Sequence, residues 1–141
     1  MNFIDILSTS ASGLNAQRIR MNLISSNMAN VNTTQTEEGG PYRRKDAVFE
    51  AVNKKNGFGE TLEMYLTDVS VREIVEDKRP NIIKYDPGHP DANEDGYVAM
   101  PNINIIEEMV NMISASRSYE ANVTAIKATK DMVSAALEIG K

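Results

Sequence analysis

NIIEEMVNMISASRSYEANVTAIKATKDMVSAALEIGK, residues 104–141, is the stretch whose reading decides the fold. Asn104 is a good helix N-cap, and Glu107 follows at the spacing of a capping box. Glu107 and Glu108 place negative charge where the helix dipole favours it. From there Ile105, Met109, Met112, Tyr119, Val123, Ile126, Val133 and Leu137 recur at spacings that build a heptad seam. Ile106, Val110 and Ile113 widen the apolar face of the first half. No Pro or Gly interrupts the run before Gly140, which reads as the C-terminal stop. At about 1.5 Å per residue the helix runs about 50 Å, whereas a compact domain of this chain length is about 40 Å across. A seam of that length needs cover from another helix of the chain or from neighbouring molecules.

The start of the chain supplies a second helix. Phe3, Leu7, Ser10, Leu14, Gln17, Met21, Ile24, Met28 and Val31 follow one another at alternating steps of four and three. Ser10 and Gln17 break that seam, and Gly13 weakens the helix by about 1 kcal/mol relative to Ala. The pattern predicts a helix from Ile4 to Ala29, ended by Asn27, Asn30 and Asn32 with Thr33 and Thr34. An amphipathic helix on an ordinary globular core would show the same pattern.

Between the helices the chain changes character. Residues 33–46, with Gly39-Gly40-Pro41, read as a loop, and the basic run Arg43-Arg44-Lys45 reads as a solvated face. Val48, Phe49 and Val52 predict a short strand, and Asn56-Gly57-Phe58-Gly59 a turn. Leu62, Met64 and Leu66 alternate at period two. Val69 and Val71 continue on the other parity, which predicts a bulge or turn near Thr67-Asp68. Ile74-Val75 and Ile82-Ile83 are read as two further strands, and residues 86–102 as a loop. The expected fold is therefore mainly α with a small antiparallel β insertion. Residues 1–33 and 101–141 form a coiled-coil-like pair of assembly helices, antiparallel or staggered, around a central region 34–100.

Composition narrows the function. With 141 residues, 41% hydrophobic and 25% charged, the chain is globular in character. A net charge of −5 argues against a general nucleic-acid binder. Absence of Cys excludes disulfides and thiolate metal sites. The first residues carry no positive n-region or apolar h-region, so the Sec pathway is not signalled, and no run is long enough to insert in a membrane. Asp91-Ala92-Asn93-Glu94-Asp95-Gly96-Tyr97 matches the first half of a calcium loop, but position 12 is Asn102 and Pro-Gly-His-Pro precedes it. An Asx-rich turn is the better reading. His89, the only histidine, has no partner set for a triad or zinc site. No catalysis and no cofactor are expected. Asn27, Asn30, Asn111, Asn122 and Arg117 lie close to the apolar seams, where buried polar groups must be hydrogen-bonded and so fix register and partner.

Four segments carry a resemblance. SSNMANVNTT (residues 25–34) and ISASRSYEANV (113–123) resemble the N- and C-terminal motifs of the bacterial flagellar rod and hook proteins. TTQTEEGGPYRRK (33–45) and DPGHPDANEDGYVAMPNINIIEEM (86–109) resemble the proximal-rod members. The likeness runs end to end and is weakest over residues 47–76. Met28 stands where the family usually has Ile. The resemblance implies a structural subunit that polymerises into the rod crossing the periplasm and transmits torque. Export unfolded through the flagellar type III apparatus is implied with it. Implied partners are copies of itself, other rod proteins, the MS-ring and the rod adaptor. Implied interface residues are Ser26, Asn27, Ala29, Asn30, Asn32, Arg117, Tyr119, Glu120 and Asn122. The rival readings are a helical adaptor that closes as a dimer and a calcium-responsive module at residues 91–97. Ser10, Gln17, Ser116 and Lys130 interrupt the seams, and the isolated helices are expected to be marginal until packed.

Overall fold

Both helices form where the apolar spacing places them, and their ends are made by asparagines. A computed structural model of the chain describes residues 3–53 and 67–139. The first helix, α1, spans Phe3–Ala29. Asn30 closes it by donating its backbone N–H (3.1 Å) and its side-chain amide (2.9 Å) to the Ser26 carbonyl. The second helix, α2, spans Ile105–Ile139. Asn104 caps it: its side-chain oxygen accepts the Ile106 N–H at 3.0 Å, and its carbonyl accepts that of Glu108 at 3.0 Å. The stop at Gly140 lies outside the described residues, as do the turn at 56–59 and the alternation of Leu62, Met64 and Leu66.

The pair is antiparallel. Asn27 meets Glu108, and Gly13 lies against Asn122, so a fourteen-residue step back along α1 is the same step forward along α2. That register sets residue 132 opposite residue 3, and residues 133–139 of α2 run past the described start of α1.

Strand β1 (Lys45–Asn53) pairs antiparallel with β2 (Thr67–Glu76). Two corrections arise here. The ladder is regular at Thr67-Asp68 and slips at Arg72, opposite Val48/Phe49, so the bulge is not at the expected position; a turn just before Thr67 lies outside the described residues. Ile74-Val75 is the continuation of β2 and not a separate strand, because pairing to Lys45–Ala47 carries the ladder through to Glu76. A separate ribbon joins β3 (Ile82–Tyr85) to β4 (Tyr97–Met100), so residues 86–102 are not all loop. Gly96, with φ +79°, and the Asn93 side chain turn the chain into β4. A four-residue strand shows too little alternation to be read from sequence. The calcium-like segment folds as the Asx turn: Asn93 Oδ1 accepts the N–H groups of Asp95 (3.1 Å) and Tyr97 (2.8 Å).

α1 sits between α2 on one side and the β1–β2 ribbon on another, while α2 packs, among the described elements, on α1 alone. Thr9 donates to the Asp68 carboxylate (3.1 Å) and the Val69 N–H donates to Ser12 (3.0 Å), pinning the far end of the ribbon to α1. The buried apolar residues among those described are Ala16, Ile24, Val98, Ile103 and Ala115. The largest fully buried side chains are instead Glu108 and Asn27. The helix pair is therefore locked by polar groups at one end and left with apolar surface elsewhere.

Candidate functional site: the helix hairpin and its uncovered face

The lock is built around Asn27, whose side-chain amide is completely buried and completely used. Its Nδ2 donates to the Lys45 carbonyl (2.9 Å) and to Glu108 Oε2 (3.1 Å). Its Oδ1 accepts from the Lys45 N–H (2.9 Å) and from the Tyr42 hydroxyl (3.2 Å). Two donors and two acceptors meet four partners, so no capacity is left over. Toward Lys45 the amide acts as a neighbouring strand would, and this fixes where β1 leaves the helix pair. Ser26 and Tyr42 share a further hydroxyl contact at 3.3 Å.

Glu108 is 1% exposed, and Arg44 Nε donates to its Oε1 at 2.8 Å. Arg44 also bridges to Asp46 at 3.1 Å. Burial works against the Arg44 guanidinium, but the hydrogen bonds to Glu108 and Asp46 outweigh it and hold its pKa above the ordinary value. A buried carboxylate is stable only when paired and hydrogen-bonded, and both oxygens of Glu108 are engaged. Arg44 corrects the reading of the basic run as a solvated face: its side chain is only 14% exposed. Its partner lies 64 residues away, and nothing local in Arg43-Arg44-Lys45 singles it out.

At Gly13 the helices come close. A Cβ there would stand 3.1 Å from Asn122 Nδ2, so the glycine that weakens α1 makes room for the Asn122 amide. Ala16 and Ala115, both buried, allow the same close approach, since the separation of packed helices follows side-chain size at the contact.

The expected interface residues divide into three groups. Ile24 and Asn27 are buried inside the chain itself. Leu7, Leu14, Met21, Ser26, Met28, Asn30 and Val31 on the N-terminal side are half-buried, as are Met112, Tyr119, Asn122, Val123, Ile126 and Val133 of α2. Ala29, Asn32, Met109, Arg117, Glu120 and Leu137 are exposed. The structure therefore brings Asn27 into the α1–α2–β1 junction, and leaves Arg117 and Glu120 facing outward. Tyr42, Arg44, Lys45 and Glu108 complete that junction and were not singled out as site residues from sequence.

The outer face of α2 is apolar and open. Ile106 and Val110 are 73% and 61% exposed, and Ile105, Met109 and Ile113 are each about half exposed. Covering these five side chains would contribute on the order of 5 kcal/mol. A contiguous apolar face of this kind marks an interaction surface.

Known proteins share this sequence along its length. Residues 7–35 match the family model described as flagella basal body rod protein, and residues 94–139 match that of the flagellar basal body rod FlgEFG protein C-terminal. Flagellar basal-body rod protein FlgC of Borreliella burgdorferi is 45% identical over 99% of this chain and 98% of its own. The protein of that name from Bacillus subtilis is 45% identical, covering 96% of each chain. The one from Aquifex aeolicus is 45% identical over 100% of this chain and 99% of its own. The chain belongs to the FlgC family of flagellar basal-body rod proteins. The two family-model matches fall on α1 with its following turn and on β4 with α2, so what the models describe is the hairpin and its approaches.

Proposed function

We propose that this chain is a structural subunit of the flagellar proximal rod, which polymerises through its terminal helices to transmit torque. The observation that carries this reading is the uncovered apolar face of α2 in a member of a rod-protein family. A rotating shaft needs stiff walls. Long helices supply stiffness, and neighbouring subunits supply the cover that the described residues do not give to α2.

In this reading residues 1–33 and 101–141 are the assembly helices and 34–100 is a lateral domain. Met109, Met112, Arg117, Tyr119, Glu120, Asn122, Val123, Ile126, Val133 and Leu137 on α2 form contacts to neighbours. Leu7, Leu14, Met21, Met28, Asn30, Val31 and Asn32 contribute from the N-terminal side. The lock at Asn27 and Ile24 holds the hairpin in the shape that neighbours meet. The partners are copies of the chain, other rod proteins, the MS-ring and the rod adaptor. The subunit reaches the periplasmic rod through the type III apparatus without a cleaved signal peptide. It carries out no catalysis and needs no cofactor. Helix ends with so little buried apolar surface fold fully only on assembly.

The test is recovery of the chain from purified basal bodies in a flagellated strain lacking its own copy. The expected result is restored rods and motility, with the amides of residues 4–10, at the start of α1, protected from hydrogen exchange in the assembled state and weakly protected in a verified monomer. A chain that stays out of the basal body, or that forms a discrete dimer at every concentration, would overturn the reading.

A further inference from the structure

The hairpin has apolar surface left over at both of its ends, and the two remainders differ in shape. At the closed end Ser25, Met28 and Ala29 of α1 and Met109, Met112 and Ile113 of α2 line a groove of about 570 Å³. None of the six is charged, and the two helices present flexible Met side chains, which adapt to an incoming surface. At the open end residues 133–139 run past the described start of α1. This projection is about 10 Å long, two helical turns. Glu138 is its single charged residue. Leu137 there is 68% exposed, and Met132 at its base is 64% exposed. Val133, Ala136 and Leu137 fall on one helix face at steps of three and one, so the projection has an apolar side.

A chain cannot seat its own projection in its own groove. The projection and the α2 wall of the groove lie on one continuous helix, and from Met112 to Val133 that helix runs about 30 Å. Resting on the rod-subunit reading above, we infer that the groove receives the last two turns of the C-terminal helix of the neighbouring subunit. Its occupant is a nearly neutral apolar helix end of the kind this chain carries at residues 132–139. The uncharged lining suits that chemistry and rejects a charged segment, which would be desolvated there without a partner. The C-terminal family model reaches residue 139, so the projection belongs to a module found beyond this one chain. A groove at one end and a projection at the other make a head-to-tail contact, which repeats without closing when the rotation does not close.

The test uses the full chain with a benzophenone amino acid at Ala29, and separately at Ser25, both exposed on the groove. Each labelled chain replaces the native copy in a flagellated strain, basal bodies are purified and irradiated, and adducts are mapped by mass spectrometry. The expected result is that both labels attach to the last two turns of a neighbouring subunit's C-terminal helix, whereas a label at exposed Glu94 does not. Adducts on a neighbour's N-terminal helix, on a central domain, or at no consistent position would overturn the inference while the rod reading stands, because the chain would still be in the basal body. A wild-type chain absent from basal bodies would remove the rod reading and this inference together.

Discussion

α1 and α2 carry much the same heptad-like pattern, yet they end up in different surroundings. α1 is held from two sides, by α2 and by the β1–β2 ribbon, and its polar residues Thr9, Ser12 and Asn27 are bonded across those contacts. α2 is held from one side, and its bulky residues Ile106 and Val110 face outward. The difference teaches that apolar patterning alone does not say whether a seam is folded against its own chain. The contact that fastens the molecule is marked by buried, hydrogen-bonded polar groups, Asn27 of α1 and Glu108 of α2, and the face left for others is marked by exposed apolar ones.

That contrast can be broken at the lock. Replacing Glu108 with Ala strips Arg44 of its buried partner and leaves one Asn27 donor unmatched. Arg44 keeps Asp46 and some solvent. The expected loss is therefore at the low end for a broken buried pair, about 3 kcal/mol, measured by urea unfolding of the isolated chain. Removing both charges together, with Arg44→Met and Glu108→Leu, should recover more than half of that loss. No recovery would mean that Glu108 acts mainly through Asn27.

A smaller effect of opposite sign is expected inside the helix contact. Gly13→Ala removes the backbone entropy cost of a mid-helix glycine. The Asn122 amide, at the end of a half-exposed side chain, can swing the few tenths of an ångström needed. The chain should gain about 0.5 kcal/mol in urea unfolding. A loss would show that the Asn122 amide is fixed.

On the open face the expectation is a near-silent change in the isolated chain. Val110→Asp should alter stability by less than about 0.5 kcal/mol, as surface substitutions do. It should nonetheless exclude the chain from basal bodies, because it puts a charge on the exposed apolar face. The half-buried Val123 separates the two roles less cleanly, since Val123→Asp places a charge where the side chain is partly covered as well as partly exposed. A Val110→Asp chain that assembles normally would place the contact face elsewhere.

The smallest effect lies in the link after β2. Hydrogen bonds from the Arg79 side chain, and then from its backbone N–H, hold the Asp77 carboxyl below its ordinary value of 3.8. A depressed carboxylate pKa contributes stability that is complete above the unfolded value and is lost as pH falls through the folded one. Arg79→Ala should therefore raise the Asp77 titration midpoint toward 3.8 by NMR, with a stability loss at neutral pH that is small because the pair is solvent-screened and that disappears in acid.

Both helices, nearly to the residue where they are described, the N-cap at Asn104, the Asx turn at Asn93 and the family can be read without the fold. Each of these rests on local spacing: a heptad step, a capping oxygen, a short polar turn. Tertiary structure alone decided that Asn27 would bind β1 like a strand and that Arg44, third in line after Tyr42 and Arg43, would be the buried cation. It also turned Glu108 inward beside the exposed Glu107, and paired a four-residue β4 with β3. Those outcomes depend on residues 27, 44 and 108 meeting across long stretches of chain. The energy of such a meeting, a desolvated charge matched by a few hydrogen bonds, belongs to no single segment and leaves no period in the sequence to read.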